Sequence, residues 1–270
     1  VIFLSPLLIA VILGLVEGAT EFLPISSTGH LIAVGALLDF TGEREATFEV
    51  VIQLGAILAV VWHYRRALLR MATGVLRPGD DRRVTGNLLI AFIPAVVIGL
   101  LAHDFIKTVL FAPTVVAWAL ILGGFVMLAI EYRRPTTTAA SIGEATRGQA
   151  LIIGFAQVLA MIPGTSRAAA TILGGYAAGL SRPAATEFSF LLAIPTIIGA
   201  AGFDFVASRD LFGREDLPMF AVGTAVAFVS ALLVIRGFLR FVEGHTFSVF
   251  AWYRIGFGTL LLLLLARGVI

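Results

Sequence analysis

Apolar runs of bilayer-spanning length, about 17–25 residues, recur near 47–63, 88–103, 114–131, 187–206, 218–235 and 249–266. Two further apolar segments, 6–38 and 149–181, are broken. The first is interrupted at Glu17, Glu21, Pro24 and the run Ser26, Ser27, Thr28, Gly29; the second at Pro163, Gly164, Thr165, Ser166 and Arg167. Each half of such a segment is too short to cross a bilayer. Each segment therefore reads as a re-entrant helix pair, whose irregular backbone is buried in protein or lines a cavity. The pattern predicts an all-α polytopic membrane protein, a single integral membrane domain over residues 1–270. Its halves, 1–131 and 149–270, follow one plan: a re-entrant helix hairpin, then three transmembrane helices. An offset of 140 puts Gly14 on Gly154 and Glu17 on Gln157, and an offset of 139 puts Ser27 on Ser166. Short, Gly/Pro-interrupted segments at matching positions of two halves point to a binding site between inverted-topology repeats.

Composition sharpens this picture. The chain is 59% hydrophobic and 13% charged, where a soluble domain carries about 25% charge, and its mean hydropathy is +1.00. The formal net charge is only +2, so placement matters more than size. The segment 64–86 holds Arg65, Arg66, Arg70, Arg77, Arg82 and Arg83, which the positive-inside rule puts in the cytoplasm. Alternation makes 132–149 (Arg133, Arg134, Arg147) and 236–248 (Arg236, Arg240) cytoplasmic as well. In the opposite loops, Lys107, Arg209 and Arg214 are offset by Asp104, Asp210, Glu215 and Asp216, and both termini lie outside. Three spans per half reverse the second repeat, so the two hairpins enter from opposite faces and meet near the midplane. No basic run is interleaved with aromatics in a soluble domain, which argues against a nucleic-acid partner. The absence of Cys excludes disulfides and thiolate metal sites. The first apolar run lacks the basic region of a signal peptide and continues into Glu17.

Charge inside lipid marks the candidate chemistry. A carboxylate at the bilayer centre costs roughly 2.5–3.5 kcal/mol on insertion scales, yet Glu17 and Glu21 stand at i, i+4 on one helix face, where they also repel. Pro24 disfavours helix at the preceding residue, so the helix should end near Leu23. Ser26, Ser27 and Thr28 then occupy the turn and the next helix start, where free N–H groups and the helix dipole favour an anion. His30 lies one turn beyond Ser27. Carboxylates suit a hard divalent cation, hydroxyls and N–H groups suit phosphate oxygens, and His moves protons or attacks phosphorus. The plainer reading is a water-filled vestibule lined by two acids. In the second hairpin, Ser166, Arg167 and Thr171 follow the Pro-Gly break, and a guanidinium there would clamp phosphate bidentately. Its plainer reading is an Arg that neutralises Glu17 or Glu21 across the repeat interface. Glu49, Gln53, Glu187 and Ser189 read as supporting or packing residues. His63, His103 and His245 read as solvated span ends, Asp204 and Arg254 as snorkelling, and Trp62, Tyr64, Trp252 and Tyr253 as an interfacial belt.

The run EGATEFLPISSTGH at 17–30 and PGTSRAAAT at 163–171 resemble the two signatures of the bacitracin-resistance type undecaprenyl-pyrophosphate phosphatases. TFEVVIQLGAILAV at 47–60 and EFSFLLAIP at 187–195 extend the resemblance through most of the chain. Ala168 stands where the family pattern PGxSRSxxT has its second Ser, while Ser166, Arg167 and Thr171 match. The resemblance implies hydrolysis of the C55 polyprenyl diphosphate carrier to its monophosphate, with a divalent cation, Mg²⁺ or Ca²⁺. The reaction would take place at the outer face of the bacterial cytoplasmic (inner) membrane, in a site open to the periplasmic or extracellular side. It also implies carrier recycling for cell-wall synthesis and tolerance of bacitracin.

On that footing Glu17 and Glu21 are expected to hold the cation, and Ser26, Thr28, Ser166, Arg167 and Thr171 to bind phosphate. Ser27 is expected to attack phosphorus, with His30 as general base. The alternative leaves Ser27 as a binding hydroxyl, while His30 attacks directly or activates water. The partners expected are the polyprenyl diphosphate and membrane lipids, and a homodimer is compatible with the sequence. Without the resemblance, an inverted-repeat anion site would equally suit a flippase or transporter of polyprenyl phosphate or another anion.

Overall fold

A computed structural model describes residues 5–105, 110, 112–208 and 216–268. Within them the chain forms ten α-helices: α1 (Pro6–Thr20), α2 (Ser27–Leu37), α3 (Glu43–Gly74), α4 (Asp80–Phe105), α5 (Pro113–Arg133), α6 (Arg147–Leu159), α7 (Arg167–Ala177), α8 (Arg182–Ser208), α9 (Leu217–Gly244) and α10 (Ser248–Ala266). Six of these are long and apolar enough to cross a membrane, within α3, α4, α5, α8, α9 and α10. The protein is therefore a multi-pass helical membrane protein. The short pairs α1–α2 and α6–α7 occupy the two broken segments, as the breaks in hydropathy predict.

Each half contributes a hairpin and three long helices, and packing partners exchange when the halves are swapped. Helix α1 lies on α9 and α6 lies on α4, while α5 packs on α10 and α3 on α8. The matched glycines explain how the first two contacts form. A Cβ on Gly14 would run into the Gly223 carbonyl of α9, and one on Gly154 into the Ala91 carbonyl of α4. Small residues let helix backbones approach closely where lipid supplies no hydrophobic drive for association. The main apolar cluster draws on both halves, including Phe22, Ile57, Met127, Ile153, Phe188 and Phe238. Leu89, Ile93, Leu122, Phe125, Phe155 and Leu233 face outward, as lipid-facing residues should.

The structure corrects three boundaries. Helix α3 continues to Gly74 and α4 begins at Asp80, so most of the arginine-rich segment is helix rather than loop; Arg is a good helix former. Helix α9 likewise runs on to Gly244. Helix α1 stops at Thr20, three residues before Leu23, and the chain turns through 21–25 with Phe22 fully buried. Between the halves, 134–146 is folded onto the bundle: Asn87 donates to the Ala145 carbonyl, and Thr146 and Gln149 cap α6 reciprocally. Nearby, the Ala140 N–H and Ser141 hydroxyl hold the Glu144 carboxyl below its usual range. The side chains of His103, Asp104, Lys107, Asp204, Arg209, Asp210, Arg214 and Glu215 lie outside the described residues.

Candidate active site

The two hairpin tips have the same backbone geometry. Ser26 (φ 70°, ψ 99°) precedes α2 and Ser166 (φ 72°, ψ 119°) precedes α7, and each of these helices has 11 residues. The offset of 140 thus holds through both tips, aligning Ser26 with Ser166 and Ser27 with Arg167, and it supersedes the match of Ser27 to Ser166. A non-glycine residue at such positive φ costs about 1–3 kcal/mol and persists only where its surroundings hold it. The Ser166 hydroxyl accepts from the Ala169 N–H, closing the first turn of α7. Ser26 makes no such cap, which leaves its hydroxyl and the first N–H groups of α2 for another acceptor or donor.

The side chains converge around Glu21. Its Oε2 accepts from the Ser27 hydroxyl at 2.6 Å, and its Oε1 pairs with Arg167 Nη2 at 2.9 Å. Arg167 Nη1 donates to the Ser189 carbonyl at 3.2 Å, and its guanidinium lies 5.7 Å from the Phe22 ring centroid. The Nε of Arg167 is buried without an acceptor among the described residues. On the preceding turn Glu17 is 1% exposed, and its Oε1 has no hydrogen-bond partner among the described residues. Glu21, Glu49 and Arg167 all lie within electrostatic range of Glu17. An unmatched buried donor beside an unmatched buried carboxylate is costly unless a ligand supplies both partners. Phosphate oxygens suit the first and a cation suits the second.

The remaining expected residues are close but differently engaged. His30 reaches back one turn, its Nδ1 2.7 Å from the Ser26 carbonyl and its Nε2 2.6 Å from the Tyr253 hydroxyl. A carbonyl only accepts, so Nδ1 carries the proton and, in the neutral ring, Tyr253 donates to Nε2. Both ring nitrogens are thus taken, and His30 makes no hydrogen bond to Ser27; the base in contact with Ser27 is Glu21. Thr171 is fully buried behind the tip, donating to the Arg167 carbonyl and 2.6 Å from the Ser189 hydroxyl. Thr28 is half-buried in the first turn of α2. Ala168 is buried in the main apolar cluster. Among the described residues no group of three or more His, Cys, Asp or Glu is disposed to hold a metal.

Sequence reasoning missed two residues. Tyr253, expected in an interfacial belt, is hydrogen-bonded to His30. Arg254, expected to snorkel, is fully buried. A cation six residues into an otherwise apolar helix was the available signal for the second. The large open cleft lined by Glu131, Arg134, Tyr176 and Arg182, about 1290 Å³, contains none of the expected site residues.

Comparison with known proteins places the chain in a family. The family model described as bacitracin resistance protein BacA matches residues 10–260. An undecaprenyl-diphosphatase 1 of Pseudomonas fluorescens is 54% identical over 253 residues, 94% of this chain and 92% of the relative. An undecaprenyl-diphosphatase of Azotobacter vinelandii is 53% identical over 262 residues, 97% of this chain and 95% of the relative. With most of its length matched by that model and more than half its residues shared with these relatives, the chain belongs to the BacA bacitracin-resistance family.

Proposed function

We propose that this chain hydrolyses undecaprenyl diphosphate to undecaprenyl phosphate and inorganic phosphate at the outer face of the bacterial cytoplasmic membrane. This recycles the lipid carrier for cell-wall synthesis and gives tolerance of bacitracin. The observation that carries the reading is the Ser27–Glu21–Arg167 chain, with its 2.6 and 2.9 Å contacts joining the two hairpin tips. A hydroxyl in contact with a carboxylate is an activated nucleophile, and a guanidinium at a helix start is a phosphate clamp. Ser27 attacks the terminal phosphorus as Glu21 takes its proton, and undecaprenyl phosphate leaves with the bridging oxygen. Glu21 gives that proton up to solvent with the departing lipid phosphate; water then attacks the phosphoserine as Glu21 takes one of its protons and passes it to the Ser27 oxygen, which leaves phosphorus. Arg167 exchanges Glu21 for phosphate oxygens, its free Nε supplying a second donor, while Ser26, Thr28 and the α2 N–H groups orient the rest. His30 holds the Ser26 carbonyl and so steadies the strained tip.

Glu17 and Glu21 fit a divalent cation. Glu17 has an unmatched buried oxygen, and each Glu21 oxygen keeps a second lone pair beyond the bond it makes. Bound there, Mg²⁺ or Ca²⁺ would neutralise the carboxylates and the charge of the diphosphate. Purified protein in detergent is expected to release phosphate from farnesyl and undecaprenyl diphosphate, and to lose that activity on chelation with recovery on adding Mg²⁺ or Ca²⁺. Hydrolysis persists without a sealed membrane, whereas transport of a polyprenyl phosphate does not. An inactive detergent preparation of folded protein would exclude the enzyme reading, and full activity after thorough chelation would exclude the cation.

The arginines at 65–83 support placing the α3–α4 connection in the cytoplasm and the entrance to α1–α2 outside. Thr41 and Gly79 are both exposed, and a Cβ at Gly79 meets nothing within 4 Å. A Cys at either position is therefore accessible from its own side in this Cys-free chain. In intact cells an impermeant thiol reagent should modify Thr41→Cys and spare Gly79→Cys. The opposite labelling would invert the topology.

A further inference from the structure

Arg254 is fully buried in α10 and pairs with no carboxylate among the described residues. Its guanidinium instead makes five hydrogen bonds to main-chain carbonyls. Nη1 donates to Pro24 at 3.2 Å and Thr165 at 2.9 Å, and Nη2 to Gly164 at 3.1 Å and Ala119 at 3.1 Å. Nε donates to Leu120 at 3.3 Å. Pro24 belongs to the first hairpin tip, Gly164 and Thr165 to the second, and Ala119 and Leu120 to α5. One planar cation thus ties together the backbones that set where Ser27 and Arg167 begin their helices. We propose that Arg254 is a positioning residue for the phosphatase site, holding the two re-entrant tips in register so that the Ser27–Glu21–Arg167 chain closes.

Donor number and shape explain why this position takes Arg. Its five N–H groups lie in a fixed fork, so one side chain serves carbonyls arriving from three directions. Lys keeps the charge but offers three donors around one point and cannot span the same acceptors. The seat is also cut to fit: a Cβ on Gly123 of α5 would meet Nη2, Cζ and Nε of Arg254, its three nearest atoms. One methyl group there falls on the guanidinium first. The second tip is pressed onto α5 in the same region, since a Cβ on Gly164 would strike the Val116 backbone.

The inference rests on the hydrolysis proposed above, and wild type assayed in parallel separates the two. An inactive wild type defeats the hydrolysis; an active wild type with unaffected variants defeats only the role of Arg254. Misplacing reacting groups by about 1 Å costs about 100-fold in rate. Arg254→Lys and Arg254→Met are therefore expected to lower kcat about 100-fold, with KM within about threefold of wild type. Gly123→Ala should lower kcat at least about tenfold alone and have little further effect in the Arg254→Met background, because coupled residues are non-additive. Thermal unfolding followed by Trp fluorescence confirms which variants are folded. A folded Arg254→Met enzyme with wild-type kcat, or a loss confined to KM, overturns the proposal. If Arg254→Met does not fold, Gly123→Ala decides, with full activity overturning the proposal. Equal losses from Gly123→Ala with and without Arg254 overturn it too.

Discussion

Glu21→Gln is expected to lower kcat for phosphate release by about three orders of magnitude, within the 10²–10⁴ range for removing a general base. The amide keeps the shape of the side chain and can still accept a hydrogen bond from Ser27, but it cannot take a proton. Arg167 loses its counter-charge at the same time, and a partly buried guanidinium left unpaired binds an anion more readily. Loss of one carboxylate for the cation opposes that gain, so KM should stay near its wild-type value while kcat collapses, the pattern of an interaction made in the transition state. If Glu21 only neutralised Arg167, the variant would retain most of its rate. Steady-state kinetics on a soluble prenyl diphosphate measures this, and a Glu21→Gln enzyme within tenfold of wild-type kcat would sink the assignment.

Ser27→Ala should be at least as damaging if its oxygen attacks phosphorus. Deleting a hydroxyl that only binds the substrate costs about 1 kcal/mol, roughly a fivefold change in rate. Deleting the nucleophile removes the reaction path, leaving several orders of magnitude between the two outcomes. Rapid quench of wild type on end-labelled substrate should also trap acid-stable phosphate on Ser27 and a burst of prenyl phosphate release, both missing from the variant. Near-normal turnover by Ser27→Ala, or label held in acid-labile form on His30, would refute the assignment. The geometry favours serine, because both ring nitrogens of His30 are occupied by Ser26 and Tyr253.

The parts of this site that were legible in the sequence are those where lipid makes a polar residue expensive. Glu17, Glu21 and Arg167 stood out because each violates the apolar pattern, and the breaks at Pro24 and Pro163 located the tips. The ion pair of Arg167 with Glu21 was readable as an alternative to phosphate binding, and the structure contains it. Partners were less legible. Spacing in sequence suggested that Ser27 and His30 share a proton, but the tip turns the Ser27 hydroxyl toward the end of α1 and leaves His30 over Ser26. Tyr253 and Arg254 escape a reading by hydropathy for one reason: it locates a polar group relative to water, whereas Tyr253 meets the His30 side chain and Arg254 the hairpin backbone at positions 24 and 164. The arginine-rich segment 64–86 marks an exit from the membrane by its polarity, but polarity does not say that helices α3 and α4 continue past that exit.

The main-chain oxygens that Arg254 gathers all precede it, and α10 follows every other described helix. A ribosome delivers both hairpins to the membrane before it makes the residue that joins them. Until α10 leaves the translocon, the proposed catalytic groups would be present but unlinked. A nascent chain stalled just short of α10 should accordingly insert its earlier helices and still lack turnover. Maturation of the enzyme would then be timed by the arrival of a single late arginine, not by the synthesis of the glutamates and serine proposed to perform the chemistry.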